Sequence, residues 1–198
     1  MDPSAHGEPA FEAAHPLAVR LIEDLRRARV SGPVLEVGSG HGRNTRALVA
    51  AGLEVLSTDD AAQYTQLPAR RGSIVAALST HAYLHGTAPK LRAGIAELAR
   101  VLRPGAPAYL TLGSTEDVNY GFGAQIDEYT FAPGDGPEAG IPHVYLDRDA
   151  VIEFLRGFTI ETLELVDVDR IVGRWAHGED ELPGKRHWFV KALRANRS

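Results

Sequence analysis

The chain has 198 residues, a formal charge of −5, 44% hydrophobic and 24% charged residues. That length and composition predict one domain with a proper core, and the scattered Lys and Arg exclude broad nucleic-acid binding, which needs them clustered against phosphates. The lack of cysteine excludes disulfides, thiol catalysis and thiolate metal sites. No apolar run is long enough to span a membrane, and Asp2, Glu8 and Glu12 stand where a signal peptide would need a basic then apolar segment. A cytoplasmic location is expected.

In chain order, residues 1–9 predict a loose end and Phe11 to Val30 an amphipathic helix with Leu17, Leu21, Ile22 and Leu25 on one stripe, closed by Ser31-Gly32-Pro33. Val34 to Asn44, VLEVGSGHGRN, reads as a buried strand, a glycine loop and a helix start. Glycines at 38, 40 and 42 let a ligand approach the backbone, and the N–H groups of the helix start favour polar or anionic groups. Glu36, on the buried strand two residues before the first glycine, is costly unless a cationic or hydrogen-bonding group meets it. A dinucleotide loop expects G-x-G-x-x-G/A, and Arg43 stands where its third small residue would be.

The E-x-G-x-G-x-G spacing resembles the first motif of the class I S-adenosylmethionine-dependent methyltransferases, and the Arg43-Asn44 pair is similar to their tellurite-resistance-like, small-molecule branch. The resemblance implies a three-layer α/β Rossmann-like fold, mostly parallel with an antiparallel last strand, spanning residues 1–198 as one domain. It implies S-adenosyl-L-methionine as cofactor, with Glu36 by its amino group and Gly38, Ser39, Gly40, Gly42, Arg43 and Asn44 around it. A cationic sulfonium ligand with an ammonium group suits an acid better than a pyrophosphate does.

The helix from Arg43 to Ala51 is expected to close at Gly52, and Leu53 to Thr58 to form the second strand, ended by Asp59 and Asp60. An acid at that distance from the glycine loop is where a carboxylate grips a ribose diol, with Asp59 favoured over Asp60; the plainer reading is a solvated turn pair. Residues 61–72 are too few for the helix, strand and part-helix that the family pattern places there. The usual third strand and its preceding helix are expected to be absent, leaving the second strand as an edge that a second subunit could cover, with Tyr64, Gln66 or Leu67 as a substitute adenine wall.

Ser73 to Ser79 predicts the next strand, with Ser79 at the ligand-binding carboxyl edge and THAYLHG after it. The resemblance extends to this strand and its His-containing loop and implies His81 as a candidate catalytic group, against the plainer expectation of a packed or solvated histidine. Ala88 to Leu102 predicts a core helix and Pro107 to Gly113 a further strand. From Ser114 to Leu146 periodicity fails; the resemblance implies that Tyr120, Phe122, Tyr129, Phe131 and Tyr145 line a substrate cover, and the plainer expectation is a satellite core. Asp147 is placed to cap a helix to Arg156, Phe158 to Asp169 reads as a strand, residues 170–186 break pattern, and His187 to Leu193 reads as the last strand.

His143, a second candidate catalytic group, His177 and His187 lie in or beside the irregular stretches and could converge as a base or substrate hydrogen-bond set. Tyr120, Tyr145, Arg174, His177 and His187 are the substrate-side candidates; Arg174 and Trp175 would suit an anionic or aromatic substrate, or be a surface arginine and a packed tryptophan. No short metal-ligand spacing occurs, and no metal is expected. The expected function is methyl transfer to a small molecule. The alternatives are a non-catalytic binding or regulatory protein with a degraded cofactor pocket and a nucleotide-linked oxidoreductase.

Overall fold

The computed structural model describes residues 13–58, 63–136, 138–168 and 184–196. Its first element, α1 (Pro16–Ala28), is shorter than the apolar stripe suggests. Residues 13–15 are not helical: proline takes the first helical position, His15 caps it by accepting the Leu17 N–H at 3.0 Å, and Arg29 closes the other end in the left-handed conformation. Phe11 lies outside the described residues.

The central sheet contains β1 (Pro33–Val37), β2 (Glu54–Thr58), β3 (Ala76–Ser79) and β4 (Pro107–Ser114), parallel in the order β2-β1-β3-β4. β9 (Arg186–Arg194) lies antiparallel along β4 from Pro107 to Gly113, and β8 (Phe158–Asp167) antiparallel along β9. The result is a mostly parallel mixed sheet with antiparallel pairing on the β9 side. The register break between Ile160 and Thr162 explains why Ile160, Leu163 and Leu165 do not keep an even spacing. Among the described strands, β2 pairs with β1 alone.

Helices cover both faces. Leu17, Leu21 and Leu25 of α1 and Leu48 of α2 (Arg43–Ala50) pack with Val34, Leu78, Tyr109 and Phe189. On the opposite face Leu91, Ile95 and Leu98 of α3 (Ala88–Val101) and Val151 and Phe154 of α4 (Arg148–Phe154) pack with Leu35, Val37, Leu110 and Leu112. Strand alternation thus sends Leu35 and Val37 to one core and Val34 and Glu36 to the other. Asp147 caps α4 by accepting the Ala150 N–H at 2.8 Å.

The stretch from Ser114 to Leu146 is more ordered than its missing periodicity suggests. It holds β5 (Ala124–Asp127), β6 (Thr130–Ala132) and β7 (His143–Leu146), an antiparallel meander. β7 joins β4 in parallel at Gly113 and Ser114, on the side of β4 away from β9 and just past the end of β3. A Cβ on Gly113 would stand 2.2 Å from the Val144 carbonyl oxygen, so this close approach requires glycine. The indole of Trp188 donates to the Leu146 carbonyl at 2.8 Å and ties the meander to β9.

Tyr64 and Leu67 belong to the core and do not wall a pocket. Tyr64 is fully buried against Tyr83 and against Gly94 of α3, where any Cβ would strike its ring, and its hydroxyl donates to the His85 carbonyl at 2.6 Å. Leu67 is buried, with its N–H on Glu97. Apolar side chains after an edge strand find more burial under α3 than along an open cleft.

Candidate functional site

The site is built where β1, β3 and β4 end. Glu36, 1% exposed, receives a hydrogen bond from the Thr45 hydroxyl on Oε2, while Oε1 is buried with no hydrogen-bond partner. Burial pushes its carboxyl pKa up, against the pull of Thr45, Asn44 and the Arg43 charge. A carboxylate held this way is an acceptor short of one donor.

The glycine loop beside it is closed onto β2. Gly38 N–H donates to the Thr58 backbone oxygen at 3.0 Å, Ser39 N–H to the same oxygen at 2.9 Å, and Gly42 N–H to Ser39 at 2.9 Å. These three amides are therefore spent inside the protein. Gly40 has a φ of +51°, and a Cβ there would meet nothing, so the loop offers an open, flat approach.

Asn44 opens α2 and is buried. Its Oδ1 accepts the His15 backbone N–H at 2.9 Å and its Nδ2 donates to Thr80 Oγ1 at 3.1 Å, joining α1, α2 and the end of β3. Ser79 is buried and its hydroxyl donates to the Val37 carbonyl at 3.1 Å, which clamps β3 to β1. Arg43 is half-buried in the first turn of α2, and its charge bears on Glu36, His15 and His81.

His81 has a φ of +78°, a conformation that costs a non-glycine residue of order 1–3 kcal/mol and persists where its surroundings fix it. Its backbone N–H is held by Thr111 Oγ1 at 2.8 Å. The ring stands edge-on to His187 at 5.4 Å and to His15 at 6.5 Å. Burial first, then His187, His15 and Arg43, hold the His81 pKa well below the ordinary imidazole value. Burial likewise lowers His15 to about 2. Both imidazoles are therefore neutral near pH 7, the form that can accept a proton. Beyond them, Asp117 is buried, accepts the Arg186 and Asn119 N–H groups at 2.8 Å, and lies 3.8 Å from His187 Nε2.

At this edge Tyr145 of β7, paired with Gly113, gathers an aromatic cluster with Phe131 of β6 and with Tyr120, which precedes β5. Tyr120 meets Phe131 at 5.4 Å and Tyr145 at 5.9 Å, and burial raises the Tyr145 phenol pKa well above its ordinary value. Of the sequence-derived residues, Glu36, Ser39, Asn44, Ser79, His81 and His187 meet at the strand ends, and Tyr120 and Tyr145 meet in the cover. His143 joins a different group, with His85 at 4.8 Å between ring centroids. Asp59, Asp60, Arg174, Trp175 and His177 lie outside the described residues. Sequence reasoning missed His15, Thr80 and Asp117. His15 precedes a proline, a helix-start signal that the longer apolar stripe hid.

No family model matches the chain, and no curated protein matches it in sequence. Solved structures match its fold. A SAM-dependent methyltransferase from Methanosarcina mazei aligns with a TM-score of 0.65 at 15% identity, over 93% of this chain and 100% of that one. The Burkholderia thailandensis 1,6-didemethyltoxoflavin-N1-methyltransferase, solved with 1,6-didemethyltoxoflavin and S-adenosylhomocysteine, aligns with a TM-score of 0.64 at 14% identity, over 92% and 78%. The geranyl diphosphate C-methyltransferase of Streptomyces coelicolor A3(2), solved with Mg2+, geranyl diphosphate and S-adenosylhomocysteine, aligns with a TM-score of 0.53 at 14% identity, over 89% and 77%. The chain therefore has the Rossmann-like α/β fold of the methyltransferases. Among the described residues no helix is long and apolar enough to cross a membrane.

Proposed function

We propose that the chain binds S-adenosylmethionine at the ends of β1 and β2 and transfers its methyl group to a small molecule in the cytoplasm. The observation that carries this reading is the buried Glu36 carboxylate whose Oε1 makes no hydrogen bond. An ammonium group would supply the missing donor and offset the cost of that buried charge. The flat loop at Gly40 leaves room beside it, and the spent amides of Gly38, Ser39 and Gly42 suit a cationic amino-acid end better than a diphosphate.

The residues present thus fit the cofactor. Glu36 and the glycine loop would hold its amino-acid end, Arg43 and Asn44 would shape the entry to α2, and Asp59, with Asp60 beside it, would hold the ribose. The cofactor supplies an activated sulfonium methyl group. The chain's part is to orient the acceptor, exclude water beneath the aromatic cover of Tyr120, Phe131 and Tyr145, and take a proton on the neutral imidazole of His81 where the acceptor carries one. His187 lies beside His81 and is a substrate-side neighbour; Arg174 and His177 belong to the same proposal.

The count of residues 61–72, too few for the helix, strand and part-helix of the family pattern, supports its shortened form, and Arg43-Asn44 supports the tellurite-resistance-like branch. The single-sided β2 would be the surface on which two copies join. Sedimentation between about 1 and 50 μM should then show a dimer; a monomer throughout rejects that assembly.

A competition titration tests the functional reading. S-adenosylmethionine should bind at micromolar strength and NADH should fail to displace it. No binding at millimolar S-adenosylmethionine would leave a non-catalytic fold, and preference for NADH would point to an oxidoreductase.

A further inference from the structure

We propose that His85, Glu138 and His143 form a site for a divalent transition-metal ion such as Zn2+, a site independent of cofactor binding. The three come from separate segments. His85 follows the single helical turn at 82–84 after β3, Glu138 lies in the connection between β6 and β7, and His143 opens β7.

The backbone holds the two histidines in register. His85 and His143 form an isolated antiparallel bridge, Gly86 N–H donates to the Pro142 carbonyl at 2.7 Å, and the Tyr64 hydroxyl grips the His85 carbonyl from the core. Glu138 then reaches both rings, with Oε1 3.5 Å from His85 Nε2 and Oε2 3.3 Å from His143 Nε2. One ligand atom from each residue falls within 4.8 Å of the others.

These distances decide between two explanations. A charge-assisted N–H···O bond closes to about 2.7–2.9 Å, and neither contact does. Ligands bound to one tetrahedral ion at about 2.0–2.2 Å stand roughly 3.3–3.5 Å apart; each histidine nitrogen stands at that distance from one Glu138 oxygen, and the set spans no more than 4.8 Å. The tautomer agrees. His143 Nδ1 lies 2.8 Å from the Ile141 carbonyl, to which it can only donate, so the Nε2 lone pair faces the cluster, the arrangement by which a backbone carbonyl orients a metal-bound histidine.

Two imidazoles and one carboxylate select zinc and its transition-metal neighbours over Mg2+ and Ca2+, which take oxygen ligands. The side chains are 30%, 23% and 11% exposed for His85, Glu138 and His143, so an ion can enter and a fourth position stays open to water. The ion would tie the loop after β3 to the meander and stiffen the cover. The ligands are brought together by the β6–β7 connection folding back on the β3 loop, which is why chain spacing gave no metal signal.

The chelator-treated chain should be titrated with ZnCl2 and, separately, MgCl2 by calorimetry, alongside His85→Ala and Glu138→Gln variants checked for folding by circular dichroism. One Zn2+ per chain is expected at micromolar affinity or tighter, with no heat from Mg2+, at least about tenfold weaker binding in each folded variant, and a thermal midpoint raised by Zn2+ more in the parent chain than in either variant. His85 is partly exposed and Glu138→Gln keeps its shape, so one folded variant suffices for the test. No binding at about 100 μM Zn2+, or binding that a folded variant retains in full, would overturn the site; the latter would place the ion at other histidines.

Discussion

At the scale of single residues, the site combines groups that cost stability. His81 sits in the left-handed region and asparagine tolerates that conformation better, so His81→Asn should fold with unchanged stability or a gain of up to about 1 kcal/mol. The same change should lower turnover by about a hundredfold or more if the imidazole is the base. Unchanged turnover, read from S-adenosylhomocysteine formation, would remove His81 from that role. The pH dependence has a defined sign. His15 and His81 are held neutral when folded, below the ordinary value of 6.5, so the unfolded chain binds more protons as pH falls. Stability is full above about pH 6.5 and declines below it, before most carboxylates titrate. Urea unfolding at pH 6.5 and 5.0 should show the loss, and His15→Asn, which can keep the cap, should reduce it. A flat response between those values would contradict the burial of these rings. Asn44 bridges three elements through two buried hydrogen bonds, and Asn44→Ala should cost about 1–3 kcal/mol by the same measurement.

At the scale of elements, the meander β5–β7 meets β4 at Gly113, where a Cβ would stand 2.2 Å from the Val144 carbonyl oxygen. Gly113→Ala must push β7 off β4, with an overpacking cost of about 1–3 kcal/mol. Hydrogen exchange should then speed up in β5–β7 while β1 and β3 keep their protection; equal protection throughout would show that the meander does not depend on this contact. The sequence made the long-period elements plain. β1 announces itself by an apolar run before glycines, α3 by Leu91, Ile95 and Leu98, and α4 by its Asp147 cap. It hid β5, β6 and β7 because each has three or four residues, too few for alternation to register, and β5 is largely exposed. Their pairing is decided by distant partners, Gly113 for β7 and β7 for β6. The site divides in the same way: Glu36 and its glycines are local and legible, whereas the His15–Asn44–Thr80 bridge and the His85–Glu138–His143 cluster exist only after folding.

At the scale of the whole molecule, the sheet order β2-β1-β3-β4-β9-β8 brings the ends of β1, β3 and β4 to one edge, where β7 joins the meander to the end of β4. The fold therefore sets a buried carboxylate, neutral imidazoles and, beside β7, a group of aromatic rings at one end of the sheet. That division fits a cofactor that is cationic at one end and reactive beneath a dry cover. In the proposed function Glu36 receives the cofactor's ammonium group. Calorimetric titration of the parent chain and Glu36→Gln with S-adenosylhomocysteine tests it most directly. The parent should bind at micromolar strength, and the variant, folded as stably because it loses a buried charge, should bind about 1.5–3 kcal/mol more weakly. Equal affinity in both chains, or no binding in either, would contradict it.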